Sequence, residues 1–239
     1  MRASLFVTCL VDQFHPEVGR SVVTVLDRLG VRYEVPRAQT CCGQPAFNAG
    51  CVDEAARVAR QFLRAFADAE LIVVPSGSCA EMVKVHMPSL FAEGSRERLD
   101  AARLGPRVRE FTQFLVHDLQ RIDVGARFPH RVTYHDSCHL LRGVGVRDEP
   151  RALLRRVRDL EFVELEASDT CCGFGGTFAV KYPSISGGMG REKLARVTAS
   201  GAEYLVAADT GCLMHLRGVI ARQQRPVRAI HLAEILAAT

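Results

Sequence analysis

Two adjacent cysteine pairs constrain this sequence more than any other feature. Each pair is followed by glycine, in Cys41-Cys42-Gly43 and in Cys171-Cys172-Gly173. One cysteine stands 32 or 33 residues before each pair, and another stands 37 or 40 residues after it. The first set is Cys9, Cys41, Cys42 and Cys79, and the second set is Cys138, Cys171, Cys172 and Cys212. Four thiols in the same order, twice, predict two sites with four thiolates each.

Composition and charge exclude several classes of protein. The net charge is +4 and the arginines are scattered, so no nucleic acid partner is predicted. No apolar run reaches the roughly 18 residues of a membrane helix, so no transmembrane segment is expected. Nine cysteines without an export signal favour a cytoplasmic chain with metal-binding or catalytic thiols over a disulfide framework. The ninth, Cys51, has no counterpart in the second half, and we expect it to be buried and inert.

The order of predicted strands and helices is also repeated. The strands are predicted at 5–8, 31–35, 71–74, 132–135, 162–165, 204–207 and 227–230, with a short one at Val108. The helices are predicted after Pro16, after an Asp53 cap, and at 111–119, 150–157, about 184–199 and 231–238. This alternation predicts an α/β fold with an internal duplication, in which each of two pseudo-symmetric halves has a mostly parallel sheet flanked by helices. The halves are 1–122 and 131–239, joined by a linker at about 123–130.

The predicted frame places all eight repeated cysteines at one end of a sheet. Cys9 and Cys138 follow or end the first strand of each half, and the pairs lie in the loop after the second strand. Cys79 and Cys212 lie in the turn between the third strand and its helix. Open α/β sheets place their sites at the carboxyl ends of the strands. We therefore expect four thiols that are distant in sequence to gather at each sheet.

Gathered thiolates are the usual ligands of a four-iron cluster, and we predict one iron–sulfur cluster for each set. Gly43, Gly173, Gly175 and Gly176 would let the backbone approach the cluster and direct N–H groups toward it. Three alternatives stay open. The first is structural zinc, which usually takes Cys-x-x-Cys pairs that are absent here. The second is a redox dithiol, which needs no metal. The third is a set of inert buried cysteines, which would not explain the repeated order.

Titratable neighbours make the second set different from the first. His135 and His139 flank Cys138, and His215 follows Cys212, whereas Thr8 and Val11 surround Cys9. These three histidines are the candidates for catalysis, because histidine titrates near neutral pH and can accept or donate a proton in a reaction. Hydrogen bonding that holds the loops and direct ligation are the other interpretations.

Five segments of the sequence resemble the signatures of the lactate utilisation protein A family. They are Cys41-Cys42-Gly43-Gln44-Pro45-Ala46-Phe47-Asn48-Ala49-Gly50, Pro75-Ser76-Gly77-Ser78-Cys79, His135-Asp136-Ser137-Cys138-His139, Cys171-Cys172-Gly173-Phe174-Gly175-Gly176-Thr177-Phe178 and Asp209-Thr210-Gly211-Cys212-Leu213-Met214-His215. The resemblance covers essentially the whole chain. The wider group is that of cysteine-rich CCG-domain iron–sulfur proteins, which includes the B subunit of heterodisulfide reductase and the iron–sulfur subunit of glycolate oxidase.

The resemblance implies an iron–sulfur electron-transfer subunit of a cytoplasmic complex that oxidises L-lactate, and thus a component of an oxidoreductase. It also implies two partners, a ferredoxin-like iron–sulfur subunit and a third, small subunit. The alternative function is a metal-independent redox-thiol, scaffold or regulatory subunit of this or a heterodisulfide-reductase-like complex. A third alternative is that only the second site is loaded.

One departure from the wider group concerns the last cysteine of each set. In members that resemble heterodisulfide reductase, this cysteine belongs to a Cys-x-x-Cys, which gives five thiols for each site. Here Met82 follows Cys79 and His215 follows Cys212 at that spacing. The sequence leaves open a cubane cluster, a cluster with a labile iron, and recruitment of His215 as an extra ligand.

Overall fold

Two parallel four-stranded sheets form the frame of the protein, whose computed structural model describes residues 2–239. The strands are β1 (Arg2–Leu5), β2 (Arg32–Glu34), β3 (Leu71–Val74), β4 (Val108–Glu110), β5 (Arg131–Tyr134), β6 (Glu161–Val163), β7 (Tyr204–Ala207) and β8 (Arg228–His231). The first sheet has the order β2-β1-β3-β4 and the second has the order β6-β5-β7-β8. All six strand pairings are parallel. The predicted duplicated α/β fold is confirmed.

Helices connect the strands and cover both sheets. They are α1 (Cys9–Phe14), α2 (Pro16–Arg28), α3 (Gln44–Asn48), α4 (Val52–Ala65), α5 (Gly77–Glu81), α6 (Arg96–Leu104), α7 (Phe111–Gln113), α8 (Asp148–Leu154), α9 (Thr177–Lys181), α10 (Pro183–Ala199), α11 (Thr210–Gln223) and α12 (Leu232–Ala237). Wider π-helical turns occupy Met82–His86, Phe114–Asp118 and His139–Val144, and 3₁₀ turns occupy Met87–Leu90 and Gly105–Arg107. Among residues 2–239, no helix is both long and apolar enough to cross a membrane.

The central strands match their sequence predictions most closely. β3 and β7 have the predicted bounds, because strands that are covered on both faces need continuous apolar runs. β1 lies three residues earlier than predicted, at Arg2–Leu5. The apolar run continues beyond Leu5, but the backbone leaves the ladder there and turns toward α1.

Cys51 contradicts its prediction, because it is exposed rather than buried. The left-handed turn at Gly50, with φ of +80°, places Cys51 on the surface at the amino-terminal cap of α4. As a result α4 begins at Val52, and Asp53 lies in its first turn instead of capping it.

A shared hydrophobic core joins the two halves. The largest buried cluster contains apolar residues of α2 from the first half and of α12 from the second. Val124 and Ala126 of the predicted linker are buried in the same cluster. Arg28 also donates hydrogen bonds to the carbonyl oxygens of Leu236 and Ala237, at 3.0 and 2.6 Å. The division at residues 123–130 stays a prediction about sequence organisation, because burial continues across it.

A second contact between the halves requires glycine. Helix α5 packs against the π-helical turn His139–Val144, and the amide of Gly77 donates to the carbonyl oxygen of Ala208 at 3.1 Å. A Cβ atom on Gly77 would lie 2.4 Å from Leu140 Cβ and 3.1 Å from Leu140 Cα. Because the Leu140 backbone is part of this contact, a rotamer change cannot relieve the overlap.

We expect Gly77→Ala to lower the free energy of unfolding by about 1–3 kcal/mol, because the added methyl group must separate the two halves. Gly218→Ala is the matched control, since a Cβ there meets no atom within 4 Å. That helical substitution should raise stability by up to about 1 kcal/mol. Urea denaturation measures both variants, and equal stability of Gly77→Ala and the wild type would contradict the close packing.

Candidate metal centres

The structure brings the first cysteine set together at the carboxyl end of the first sheet. Cys9 opens α1 after β1, the pair Cys41-Cys42 lies between β2 and α3, and Cys79 lies in α5 after β3. The Sγ atoms of Cys9 and Cys41 are 3.5 Å apart. Those of Cys42 and Cys79 are 3.4 Å apart. Within residues 2–239, all nine cysteines are free thiols.

The second set occupies the same positions on the second sheet. Cys138 follows β5, the pair Cys171-Cys172 lies between β6 and α9, and Cys212 lies in the first turn of α11. The Sγ atoms of Cys172 and Cys212 and a ring nitrogen of His135 all lie within 4.8 Å of one another. The second site therefore gathers an imidazole as well as thiols.

Each set has a buried face and a face that is partly open. Cys42 and Cys79 are buried in the first set, as Cys172 and Cys212 are in the second. The other two thiols of each set are half-buried. A cavity of about 400 Å³ adjoins Cys9 and Cys41. A group held by the first set would thus have one side in the protein core and one side near this opening.

Hydrogen bonds to sulfur lower the pKa of one thiol in the first set and of two in the second, where a bond from Cys172 lowers the pKa of Cys212 to about 6. In the first set, hydrogen bonds from Cys42 and then from Cys9 lower the pKa of Cys41 to about 3. In the second, a bond from Cys138 is the largest of several that lower the pKa of Cys171 to about 2. The pKa values of the donating thiols are raised. Four close thiols cannot all ionise without a cation, and a metal would displace the remaining protons.

The glycine after each pair supplies a backbone donor to the first cysteine of that pair. The amides of Gly43 and Gly173 donate to the Sγ atoms of Cys41 and Cys171, at 3.4 Å in both sets. Their φ angles are +90° and +93°, which L side chains rarely adopt. A Cβ on Gly173 would also lie 2.5 Å from the Ser186 carbonyl oxygen. The loop of the second pair continues with two more left-handed residues, Gly175 (φ +52°) and Gly176 (φ +61°).

One carboxylate connects the helices that carry the last cysteine of each set. Asp209 Oδ1 accepts hydrogen bonds from the amides of Gly211 and Cys212, at 3.1 and 3.3 Å. Its Oδ2 accepts from the Ser78 amide at 2.8 Å and from Ser76 Oγ at 3.2 Å. Asp209 is buried, and it therefore fixes the start of α5 relative to the start of α11.

Of the three candidate histidines, His135 is the one that lies beside thiols in the described residues. Its ring nitrogen is within 4.8 Å of the Sγ atoms of Cys172 and Cys212. The ring is fully buried at the end of β5. Its Nδ1 lies 3.2 Å from the Ser168 carbonyl oxygen, and its Nε2 has no hydrogen-bond partner within residues 2–239.

The other two histidines have partners elsewhere. His139 Nδ1 is bonded to the Glu81 carboxylate of the first half. His215 Nε2 lies 3.3 Å from the Ser186 carbonyl oxygen, and burial lowers its pKa. The first contact joins His139 to α5, and the second joins His215 to α10. Both histidines therefore have a role in holding the loops and helices around the site.

A buried polar cluster that the sequence did not reveal surrounds His135. Arg151 donates two hydrogen bonds to the Asp136 carboxylate, at 2.9 and 2.7 Å. Lys193 Nζ donates to the Ser168 carbonyl oxygen at 3.0 Å, and Ser168 Oγ donates to Asp136 at 2.8 Å. Asp136 stands inside a recognised signature, but nothing in the sequence pairs it with Arg151 or Lys193. The cluster fixes the loop that holds the imidazole.

Comparison with known proteins agrees with the duplicated frame. A family model described as a cysteine-rich domain, CCG, matches residues 3–84 and again residues 132–217. Each match contains one complete cysteine set. Among solved structures, glutamate racemase isoform RacE1 from Bacillus anthracis aligns over 99% of this chain and 78% of its own, at 12% identity and a TM-score of 0.38. That similarity is too low to indicate a shared fold.

Curated relatives match along their whole length. Lactate utilization protein A of Geobacillus kaustophilus (strain HTA426) is 50% identical over 236 residues, covering 99% of this chain and 98% of that protein. The protein of the same name from Geobacillus thermodenitrificans (strain NG80-2) is 48% identical, with the same coverage. The relative from Anoxybacillus flavithermus (strain DSM 21510 / WK1) is also 48% identical, over 99% of both chains. With both cysteine sets inside the matched regions, this chain belongs to the lactate utilization protein A family of cysteine-rich CCG-domain proteins.

Proposed function

We propose that each cysteine set holds one iron–sulfur cluster of the four-iron type. The observation that carries this proposal is the gathering of four thiols at the carboxyl end of each sheet, twice in one chain. The donor chemistry fits, since thiolates are the usual ligands of such clusters. The amides of Gly43 and Gly173 already donate to sulfur, as they would beside a cluster.

Zinc is the second candidate occupant, and one observation favours it. Sγ atoms 3.4–3.5 Å apart approach the spacing of about 3.8 Å that Zn–S bonds of about 2.3 Å impose around one tetrahedral ion. The adjacency of Cys41 and Cys42 supports the cluster instead, because adjacent thiols crowd a single ion and suit separate iron corners. The match of both halves to a cysteine-rich domain supports a bound metal or cluster at each site.

We further propose that the chain carries electrons during the oxidation of L-lactate. The relatives that match its full length are named for lactate utilization. A bound four-iron cluster accepts and passes on single electrons. Two such sites in one chain, fixed to each other by Asp209, suit transfer between partners better than a complete reaction on one subunit.

The proposed setting is a cytoplasmic complex with a ferredoxin-like iron–sulfur subunit and a third, small subunit. The chain's own contribution is to hold and insulate the clusters. Cys42 and Cys79 anchor the buried side of the first, and Cys9 and Cys41 face the adjoining cavity. A redox-thiol or scaffold subunit is the alternative, and metal analysis separates it from the cluster-bearing subunit.

We expect the protein purified without oxygen to contain about eight iron and eight sulfide atoms, four for each cysteine set. Iron and acid-labile sulfide analysis, with EPR before and after reduction, measures this content. Reconstituted protein that contains zinc in a fixed ratio but no iron would contradict the proposal. Protein without any metal would support the thiol or scaffold function.

Replacement of one cysteine of an adjacent pair should remove the cluster of that cysteine's own set and leave the other cluster bound. Cys41→Ser and Cys171→Ser are each expected to lose about half of the iron, because each removes a ligand from one four-thiolate set. Cys51→Ser is the matched control, since Cys51 is exposed and belongs to neither set. Full iron in Cys41→Ser would instead mean that only the second set is loaded.

Electrons from L-lactate should reach these clusters only when the partner subunits are present. We expect lactate to reduce the clusters in the reconstituted complex, with no reduction in the isolated chain. Stopped-flow absorbance without oxygen follows the bleaching of the clusters. If the Cys41→Ser and Cys171→Ser complexes kept wild-type lactate-dependent electron flow, the clusters would not lie on the electron path.

A further inference from the structure

The residue three positions before the first cysteine of each set distinguishes the two sites. In the first half it is Phe6, which packs edge-on against Phe62 and Phe66 with ring centroids 5.0 and 5.6 Å apart. In the second half it is His135, which is fully buried. The duplicated frame therefore directs an apolar ring toward the core in one half and places an imidazole among thiols in the other.

The hydrogen bonds of His135 determine which ring nitrogen is available. The Ser168 carbonyl oxygen can only accept, so Nδ1, 3.2 Å away, carries the proton of the neutral ring. The same oxygen accepts from Lys193 Nζ at 3.0 Å and from the Asp136 amide at 3.2 Å, which fixes its position. Nε2 is then a bare lone pair.

This lone pair is buried and unsatisfied within residues 2–239. A buried nitrogen acceptor without a partner costs free energy. Such a group in a native structure therefore indicates a bound water, ion or cofactor that supplies the missing contact. The Sγ atoms of Cys172 and Cys212 and the imidazole donor atom lie within 4.8 Å of one another. An imidazole whose other N–H is held by a backbone carbonyl is the usual arrangement of a metal-ligating histidine.

We propose that His135 Nε2 is a ligand to iron in the second cysteine set, which makes that site a mixed thiolate–imidazole centre with five donor atoms. The first set, with Phe6 at the corresponding position, has thiolates alone. This inference rests on the proposed iron–sulfur function. It assigns the extra ligand to His135 rather than to His215, because within residues 2–239 the His135 ring nitrogen is the one that lies within 4.8 Å of two thiols of the set.

The mixed donor set has an electronic consequence. A neutral imidazole donates less negative charge to iron than a thiolate, and imidazole ligation raises the potential of iron–sulfur centres that carry it. Exchange of the imidazole for a thiolate should therefore lower the midpoint potential. A residue that only supports the loop would not have this effect.

The test uses Cys41→Ser as the parent, so that the second set gives the only cluster signal. The protein is labelled with ¹⁵N-histidine, and pulsed EPR of the cluster measures the nitrogen coupling. We expect the strong coupling of a directly bound imidazole, its loss in His135→Phe and in His135→Cys, and its retention in His139→Gln and His215→Gln. His135→Cys should keep its iron and show a lower midpoint potential.

Three results would overturn the assignment. They are a strong nitrogen coupling that survives His135→Phe, a weak coupling typical of a hydrogen-bonded imidazole, and an unchanged midpoint potential in His135→Cys. Iron analysis of the wild type separates the two proposals. If iron is bound but one of these results is obtained, the His135 assignment fails while the iron–sulfur function stands.

A second measurement keeps the assignment testable if no iron is found. Co²⁺ is added to the apo form of the same parent, and its visible absorption reports the ligands. Replacement of His135 by Phe, but not of His215 by Gln, should then change the cobalt spectrum. An unchanged spectrum would overturn the proposal.

Discussion

Asp209 accepts four hydrogen bonds, two from its own helix and two from the other half of the chain. Each oxygen of the buried carboxylate serves one half, so the amino-terminal ends of α5 and α11 are fixed to each other. Cys79 and Cys212 lie in these two helix ends, and the relative position of one thiol of each set therefore depends on this one side chain. The close packing at Gly77 maintains the same contact from its apolar side.

Duplication explains why the two sites share a frame, and a few substitutions explain why they differ. Ser76 and Asp209 occupy corresponding positions, three residues before the last cysteine of their set. Each caps its own helix by accepting a hydrogen bond from the amide of that cysteine. Ser76 reaches across the interface only as a donor to Asp209. The second half thus contributes the buried carboxyl group of the interface, in addition to the imidazole of His135. Both differences lie in loops at the carboxyl ends of strands, where the fold tolerates change without loss of the sheet.

Sequence patterns predicted the frame well because its signals are periodic. Continuous apolar runs gave β3 and β7 their bounds, and strand–helix alternation placed the cysteines at one end of each sheet. The polar contacts between the halves leave no repeating pattern in the sequence. The hydrogen bonds of Asp209 with Ser78, and of Glu81 with His139, could therefore not be predicted. The three candidate histidines were equivalent in sequence for the same reason. The structure distinguishes them by the partners of their ring nitrogens, which lie between 29 and 58 residues away, and by the closeness of His135 to Cys172 and Cys212.

The cavity beside the first set and the imidazole beside the second bear on the direction of electron flow under the proposed function. The half-buried thiols of the first set adjoin a cavity, which gives a partner a short path to that cluster. With the His135 ligation proposed above, the second cluster has an imidazole ligand, which raises the potential of a cluster relative to thiolate ligation alone. Electrons move toward higher potential, so such a pair favours entry at the first site and transfer to the second. The shared carboxylate of Asp209 keeps the distance between the two constant, and a constant distance is what repeated electron transfer between fixed centres requires.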